Sequence, residues 1–489
     1  MKITNRLLLA GVAFLALGAT NRDPNALPLA QQMTSGDKAA GAKAHPQILS
    51  EFGGLYAGQQ SAYVTKVGQK VAVQSGLSNT QGDFTVSLLN SSVNNAFAIP
   101  GGYIYVTRQL LGLMNNEAEL ASVLGHETGH VAARHSKKRN DRATLGGLGA
   151  IAATILGQAI GGEAGAKLGQ QLGSSLAQNL VLGFSRAQEY QADDLGVSYI
   201  AKAGYDSMAS STMLASLAAQ TALESRIQGQ EGKTTPAWAS THPDPASRVT
   251  RAAQKAVAFG GIGKVTNRDG FLAALNGIMY DDDPKQGVID GATFRHPDLK
   301  LSFTAPQGFA MQNGAQAVTI SGSGGQAQFT GAAYNGNLSG YVDAVFKAVG
   351  GQTALSYGDV RTTDVNGLKA GYASASANTQ SGPVVVTVFA YEFSPTSAFH
   401  FVAITPQQSS PAIFDGLFRS MRRLTTQEVA AIRPRRVEVV TVRSSDTVAS
   451  LSGKMAYTNY REERFRVLNA MPAGAGLKPG QKVKLVIFG

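Results

Sequence analysis

The stretch Leu120–His135, LASVLGHETGHVAARH, decides how this chain is read. It has no proline and is rich in Ala, Leu and Val, so it predicts a helix, with Asn115 and Asn116 available to cap its start. On a helix His126 and His130 share one face, about one turn apart. Two neutral imidazoles so placed can reach a single Zn2+ at about 2.0–2.1 Å. Glu127 sits about 100° around the helix, where a carboxylate can hold a water beside such a metal. Taken alone, the stretch also fits a polar helix face. A metal centre needs a third ligand from elsewhere. His135 follows His130 by five residues, off the ligand face and in a basic turn, ARHSKKR, so it reads as a structural bystander. His45, His296 and His400 lie far away in sequence and read as structural too.

The chain has no cysteine, so thiolate ligands, thiol nucleophiles and disulfides are excluded. Any metal must be held by His, Asp or Glu. A candidate lies downstream in FSRAQEYQADDLG, where Arg186, Glu189 and Asp193 share a helical face at spacings of three and four. Glu189 can complete a His2Glu zinc site. Asp193, one turn on, is placed to accept the N–H of a ligand imidazole and fix its tautomer. The plainer alternative is a solvent-exposed acidic helix.

Upstream, NAFAIPGGYIYVTR carries a Pro-Gly-Gly turn between two short β-like runs and reads as a hairpin, while DFTVSLLN alternates like a strand. Ala143–Gly162 is twenty residues without a charge, yet it is Gly-rich and only weakly apolar. It reads as a small-residue helical hairpin near the site rather than a membrane span, with contact to a membrane surface as the alternative.

At 489 residues the chain is too long for one core and predicts several domains. Apolar content is 43%, charged content is only 15%, and the net charge is +11. The basic residues are scattered and no nucleic-acid signature appears, so no nucleic-acid partner is expected. Residues 1–20 place Lys2 and Arg6 before an apolar run, Leu7–Leu17, then small residues. This resembles a secretory signal peptide and predicts an exported, periplasmic protein of a Gram-negative bacterium, associated with membrane or cell wall in the alternative.

The predicted fold class is multidomain α+β. A mainly helical zincin-like domain, residues 28–275, carries the small edge-strand hairpin. MYDDDPKQGVIDG marks a boundary. Residues 292–426 then show alternating runs such as PVVVTVFAYEF broken by helical stretches, an α+β domain whose spacing is similar to a PsbP-like fold. After AAIRPRRVE, residues 437–489 read strand, helix, helix, strand. There SSDTVASLSGKM, FRVLNAM and LKPGQKVKLV resemble a LysM module, a type that binds peptidoglycan glycan. The copy departs from that pattern with SSDT for SGDT and a charged REER between the helices.

Four motifs in order, NAFAIPGGYIYVTRQLL, ELASVLGHETGHVAARH, FSRAQEYQADDLG and STHPDPASRV, resemble metallopeptidase family 48, the gluzincin family of HtpX and the CAAX prenyl endopeptidases, and its soluble periplasmic members most. The resemblance covers about residues 30 to 255. It implies one zinc per chain bound by His126, His130 and Glu189, with Glu127 as catalytic base and Asp193 supporting a ligand histidine. It also implies that His242 approaches the active site, to assist an oxyanion or to fill the metal's fourth position at rest; by itself a His-Pro is a turn residue. Arg248 reads as a structural clamp. Asn95, Ala96, Phe97, Ala98 and Ile99 would form an edge strand on which a polypeptide substrate adds by main-chain hydrogen bonds. The expected function is an exported endopeptidase acting on misfolded or misassembled envelope proteins. The alternative is a cell-wall-associated binding or chaperone-like protein with a silent metal site. Oligomeric state is not legible.

Overall fold

A computed structural model describes residues 30–136, 184–227, 242, 244–350, 354–379 and 382–489. The signal-peptide reading and the Ala143–Gly162 hairpin reading lie outside these residues.

The first helix, α1 (Ser35–Glu51), starts at a capping box: the Thr34 hydroxyl accepts from the Asp37 amide at 3.1 Å and the Asp37 carboxylate from the Thr34 amide at 3.0 Å. Helix α2 (Gln59–Ala72) leads to β1 (Thr85–Leu89), β2 (Ala96–Ile99) and β3 (Tyr103–Thr107). These form a sheet in the order β1-β3-β2, with β1 parallel and β2 antiparallel to β3. The β2–β3 turn needs glycine: Gly101 and Gly102 have φ of 91° and 82°, and a Cβ on Gly101 would stand 2.5 Å from the Asp37 carbonyl.

Helix α3 (Arg108–Leu113) follows β3 directly, then α4 (Glu117–Ala132). The Asn116 side chain caps α4 by accepting from the Glu119 amide at 2.9 Å. From Ala118 to His130 every residue of α4 is buried, as expected of a helix that runs through a core rather than along its surface. Around it pack α5 (Arg186–Lys202), α6 (Ala209–Ile227) and α8 (Arg268–Leu275), while α7 (Pro245–Ala258) lies on α5 and α6.

A middle α+β region follows β4 (Met279–Tyr280). It is built on a seven-stranded antiparallel sheet, β11-β12-β13-β14-β10-β9-β8, made of β8 (Ala310–Asn313), β9 (Val318–Gly322), β10 (Gly325–Ala333), β11 (Arg361–Val365), β12 (Leu368–Thr379), β13 (Gly382–Ser394) and β14 (Ser397–Pro406). One face packs on α9 (Leu338–Gly350) through Tyr341, Val342, Val345, Phe346 and Val349. The other packs on a small sheet of β5 (Val288–Asp290), β6 (Thr293–His296), β7 (Leu301–Thr304) and β15 (Arg422–Arg423), with Phe294, Phe303, Phe329 and Phe401 in one aromatic cluster. Both faces of the large sheet are thus covered, which explains why PVVVTVFAYEF is apolar almost throughout.

The last segment runs β16 (Arg435–Thr441), two short helices at Val448–Ser452 and Arg461–Leu468, and β17 (Lys482–Phe488), the strand-helix-helix-strand order read from the sequence. Strand β16 pairs with β17 on one side and with β4 on the other. Val437, Leu451, Phe465, Val483 and Leu485 lie in the same hydrophobic core as Leu110, Leu120, Leu124 and Ile200. The C-terminal segment and the α4 region therefore share one core.

Candidate metal centre

Close approach of two helices assembles the site. Gly125 and Gly129 of α4 face Ala192 and Gly196 of α5. A Cβ on Gly196 would lie 2.9 Å from the His126 amide nitrogen, and one on Gly129 would lie 2.9 Å from the Ala192 carbonyl. Backbone meets backbone, so Glu189, in the first turn of α5, reaches the histidines of α4. A capping box between Ser185 and Gln188 sets the start of α5. The third contributor enters with α7: Asp244, at φ 57°, caps the helix, Pro245 opens it, and His242 and Arg248 flank that start.

The result is a buried cluster of His126, His130, Glu189 and His242, whose donor atoms all lie within 4.8 Å of one another. His126 Nε2 is 3.0 Å from His130 Nε2 and 3.3 Å from His242 Nδ1. Glu189 Oε1 is 3.4 Å from His130 Nε2 and 3.2 Å from His242 Nδ1. Ligands about 2.05 Å from a tetrahedral zinc stand about 3.3 Å apart along each edge. The observed spacings match that figure, and three imidazoles with one carboxylate are a zinc-type donor set. These residues fit one zinc ion per chain.

Charges around the cluster are balanced. Arg248, fully buried, grips Asp193 with two hydrogen bonds, 2.8 and 2.6 Å, and reaches Glu189 Oε2 at 2.5 Å. Asp193 Oδ1 in turn lies 2.9 Å from His126 Nδ1. Burial works against the Asp193 carboxylate, but Arg248 and His126 hold it down at about 2. Burial likewise opposes ionised Glu189, and His242 and His130 keep it well below the carboxylate range. Burial pushes His130 well below the ordinary histidine range, toward the neutral form a metal needs.

Glu127 points to the same cavity from the next position of α4. Burial raises its carboxyl, partly offset by His242 and His126. Its Oε1 is buried with no hydrogen-bond partner among the described residues, and His242 Nε2 lies 3.5 Å away. His242 thus spans the site, Nδ1 toward the ligand cluster and Nε2 toward Glu127.

Over residues 58–256 the sequence matches Peptidase family M48. Those residues are a peptidase family M48 domain. The chain is 29% identical over 218 residues to mitochondrial metalloendopeptidase OMA1 of Schizosaccharomyces pombe, covering 44% of this chain and 59% of that protein. It is 28% identical over 235 residues to the beta-barrel assembly-enhancing protease of Escherichia coli O157:H7, covering 47% and 45%. Against OMA1 of Arabidopsis thaliana identity is 36% over 121 residues, covering 25% and 23%. The chain spans about half the length of the first two of these curated relatives. Among the described residues no helix is long and apolar enough to cross a membrane.

Not every expected residue joins the cluster. Arg186 is exposed and lies 3.8 Å from Asp244. Asn95 precedes β2, and Ala96, Phe97, Ala98 and Ile99 form it; β2 is an edge strand lying against α4, with all four side chains buried. His135 departs most from its sequence reading. The α4 helix ends at Ala132 and Arg134 takes φ 53°, so the helical count that put His135 off the ligand face no longer applies. His135 folds back, fully buried, with Nδ1 2.9 Å from His130 Nδ1. Phe184, also missed, stacks on His130 with ring centroids 3.9 Å apart.

Proposed function

We propose that this protein is an exported zinc endopeptidase with its active centre in the M48 domain. The observation that carries the reading is the convergence of His126, His130 and Glu189 beside a buried Glu127 oxygen that has no hydrogen-bond partner among the described residues. His126, His130 and Glu189 hold the zinc, which when bound supplies Lewis acidity toward a scissile carbonyl. Glu127 is the base: it takes the proton of the attacking water and returns it to the leaving amine. Its raised pKa suits that exchange. Arg248 and Asp193 hold Glu189 and His126 in orientation. His242, with Nδ1 beside the ligand residues and Nε2 beside Glu127, would either assist a developing oxyanion or add a further donor to the metal set in the resting protein.

Substrates add to the Asn95–Ile99 edge strand through backbone hydrogen bonds, a mode tolerant of side-chain sequence. Misfolded or misassembled envelope polypeptides fit that tolerance, and similarity to proteins named beta-barrel assembly-enhancing protease supports the same choice and a periplasmic location. Residues 28–275 form the peptidase unit, 292–426 a PsbP-like unit, and 437–489 a LysM-like unit that holds the enzyme near peptidoglycan.

The test is Glu127→Gln. The variant should retain one zinc per chain, measured by elemental analysis, and lose cleavage of unfolded casein by several orders of magnitude. Equal casein cleavage by the variant and the parent protein rejects the assignment.

A further inference from the structure

His126 and His130 look equivalent in sequence, but the structure supports them differently. His126 has a carboxylate behind it, Asp193 Oδ1 at 2.9 Å from Nδ1. Behind His130 stands a second imidazole. His135 Nδ1 is 2.9 Å from His130 Nδ1, and His135 Nε2 is 2.9 Å from Gln191 Oε1.

The donor–acceptor logic of this chain follows from reading His130 as a zinc ligand. The atom of His130 that faces His126 Nε2 at 3.0 Å and Glu189 Oε1 at 3.4 Å is Nε2, so the metal takes the lone pair there and the proton of a neutral ring is on Nδ1. That N–H donates to His135 Nδ1, which must then carry a lone pair and leave the His135 proton on Nε2. The Gln191 amide oxygen, 2.9 Å from Nε2, accepts it. His135 has no exposed surface. The left-handed Arg134 is what brings the ring round to this position.

We infer that His135 is a positioning residue for the metal centre: with Gln191 it locks His130 in the Nδ1–H tautomer and fixes its ring orientation without adding charge. This rests on the reading of His130 as a zinc ligand. Partners that orient ligand histidines contribute on the order of 10- to 100-fold in metal affinity.

The experiment compares the full-length parent protein with His135→Leu and His135→Asn. Zinc affinity is read by competition with a chromogenic chelator, and the melting midpoint is read on the zinc-free forms. His135→Leu should weaken zinc binding by about 10- to 100-fold. His135→Asn should recover most of that loss, because its Oδ1 stands where Nδ1 stood and accepts the His130 proton, while the two zinc-free midpoints agree. Parent-like affinity in His135→Leu overturns the inference, as does His135→Asn binding as weakly as His135→Leu. A parent protein that binds no zinc rejects the metal reading itself, a distinct result. If neither variant folds, long-range proton–nitrogen correlation spectra of the zinc-loaded parent, labelled at its seven histidines, decide the matter. A bare Nδ1 and protonated Nε2 on His135 support the inference, and a proton on His135 Nδ1 overturns it.

Discussion

Lys484 offers the sharpest test of how the C-terminal segment is tied to the peptidase helices. It sits in β17 with no exposed surface, and its ammonium donates to the carbonyls of Gly112, Leu113 and Met114 at 2.8, 3.1 and 2.6 Å. These are carbonyls at the C-terminal end of α3, which no further helical turn satisfies. In Lys484→Met the chain length and apolar packing survive while all three donors go. The Leu113 carbonyl keeps Asn115 Nδ2 at 3.1 Å, so the loss falls on Gly112 and Met114. A buried acceptor left without a partner costs about 1–3 kcal/mol, or about 2–6 kcal/mol for two. Relief from burying an ammonium offsets part of this, leaving roughly 2–4 kcal/mol, a large fraction of an ordinary domain's stability. Urea denaturation should register that loss as a lower midpoint. Hydrogen exchange should then locate it. Because the uncapped carbonyls lie just before the Asn116 cap of α4 and the core is shared, amides of Glu117–Ala132 and of Lys482–Phe488 should lose protection together. Protection lost only within residues 435–488, or an unchanged midpoint, refutes the reasoning.

Other changes probe the site itself. Gly196→Ala puts a methyl 2.9 Å from the His126 amide and should push α5 off α4, costing about 1–3 kcal/mol and weakening zinc binding. Gly82→Ala, with nothing near its added carbon, is the control and should stay within about 0.5 kcal/mol by thermal melting. In the zinc-free protein Asp193 titrates at about 2 when folded against an ordinary 3.8. Its stabilisation is therefore present above pH 3.8 and lost as pH falls toward 2, worth about 2 kcal/mol. Asp193→Asn should lack that component, so urea melts at pH 4.5 and 2.5 should differ less in the variant; an equal difference rejects the assignment.

The chemistry of the site was legible because it depends on residue type and short spacing. His126, Glu127 and His130 sit within five residues of one helix, and Glu189 and Asp193 recur one turn apart on another. The hairpin and the α4 cap were legible for the same local reason: Gly101 and Gly102 demand their turn, and Asn116 has a free amide to satisfy. What escaped depends on partners distant in sequence or on a backbone choice no residue announces. KVKLVIF reads as a strand, but nothing local marks Lys484 as buried, and its acceptors lie some 370 residues away. Asp281, Asp282 and Asp283 read as linker composition, yet they accept from Tyr457, Ser92 and Asn90.

His135 shows the limit most clearly. Helical counting excludes it, and nothing in ARHSKKR marks Arg134 as left-handed, since neither Gly nor Asn stands there. Yet that one dihedral separates a bystander from a group touching a candidate ligand. The H-x-x-x-H pair is symmetric in type, but a carboxylate stands behind one ring and a neutral imidazole behind the other. A carboxylate raises the basicity of the ring it supports more than a neutral acceptor does. With a metal held by both rings, His126 is therefore the more strongly donating nitrogen and His130 the weaker one.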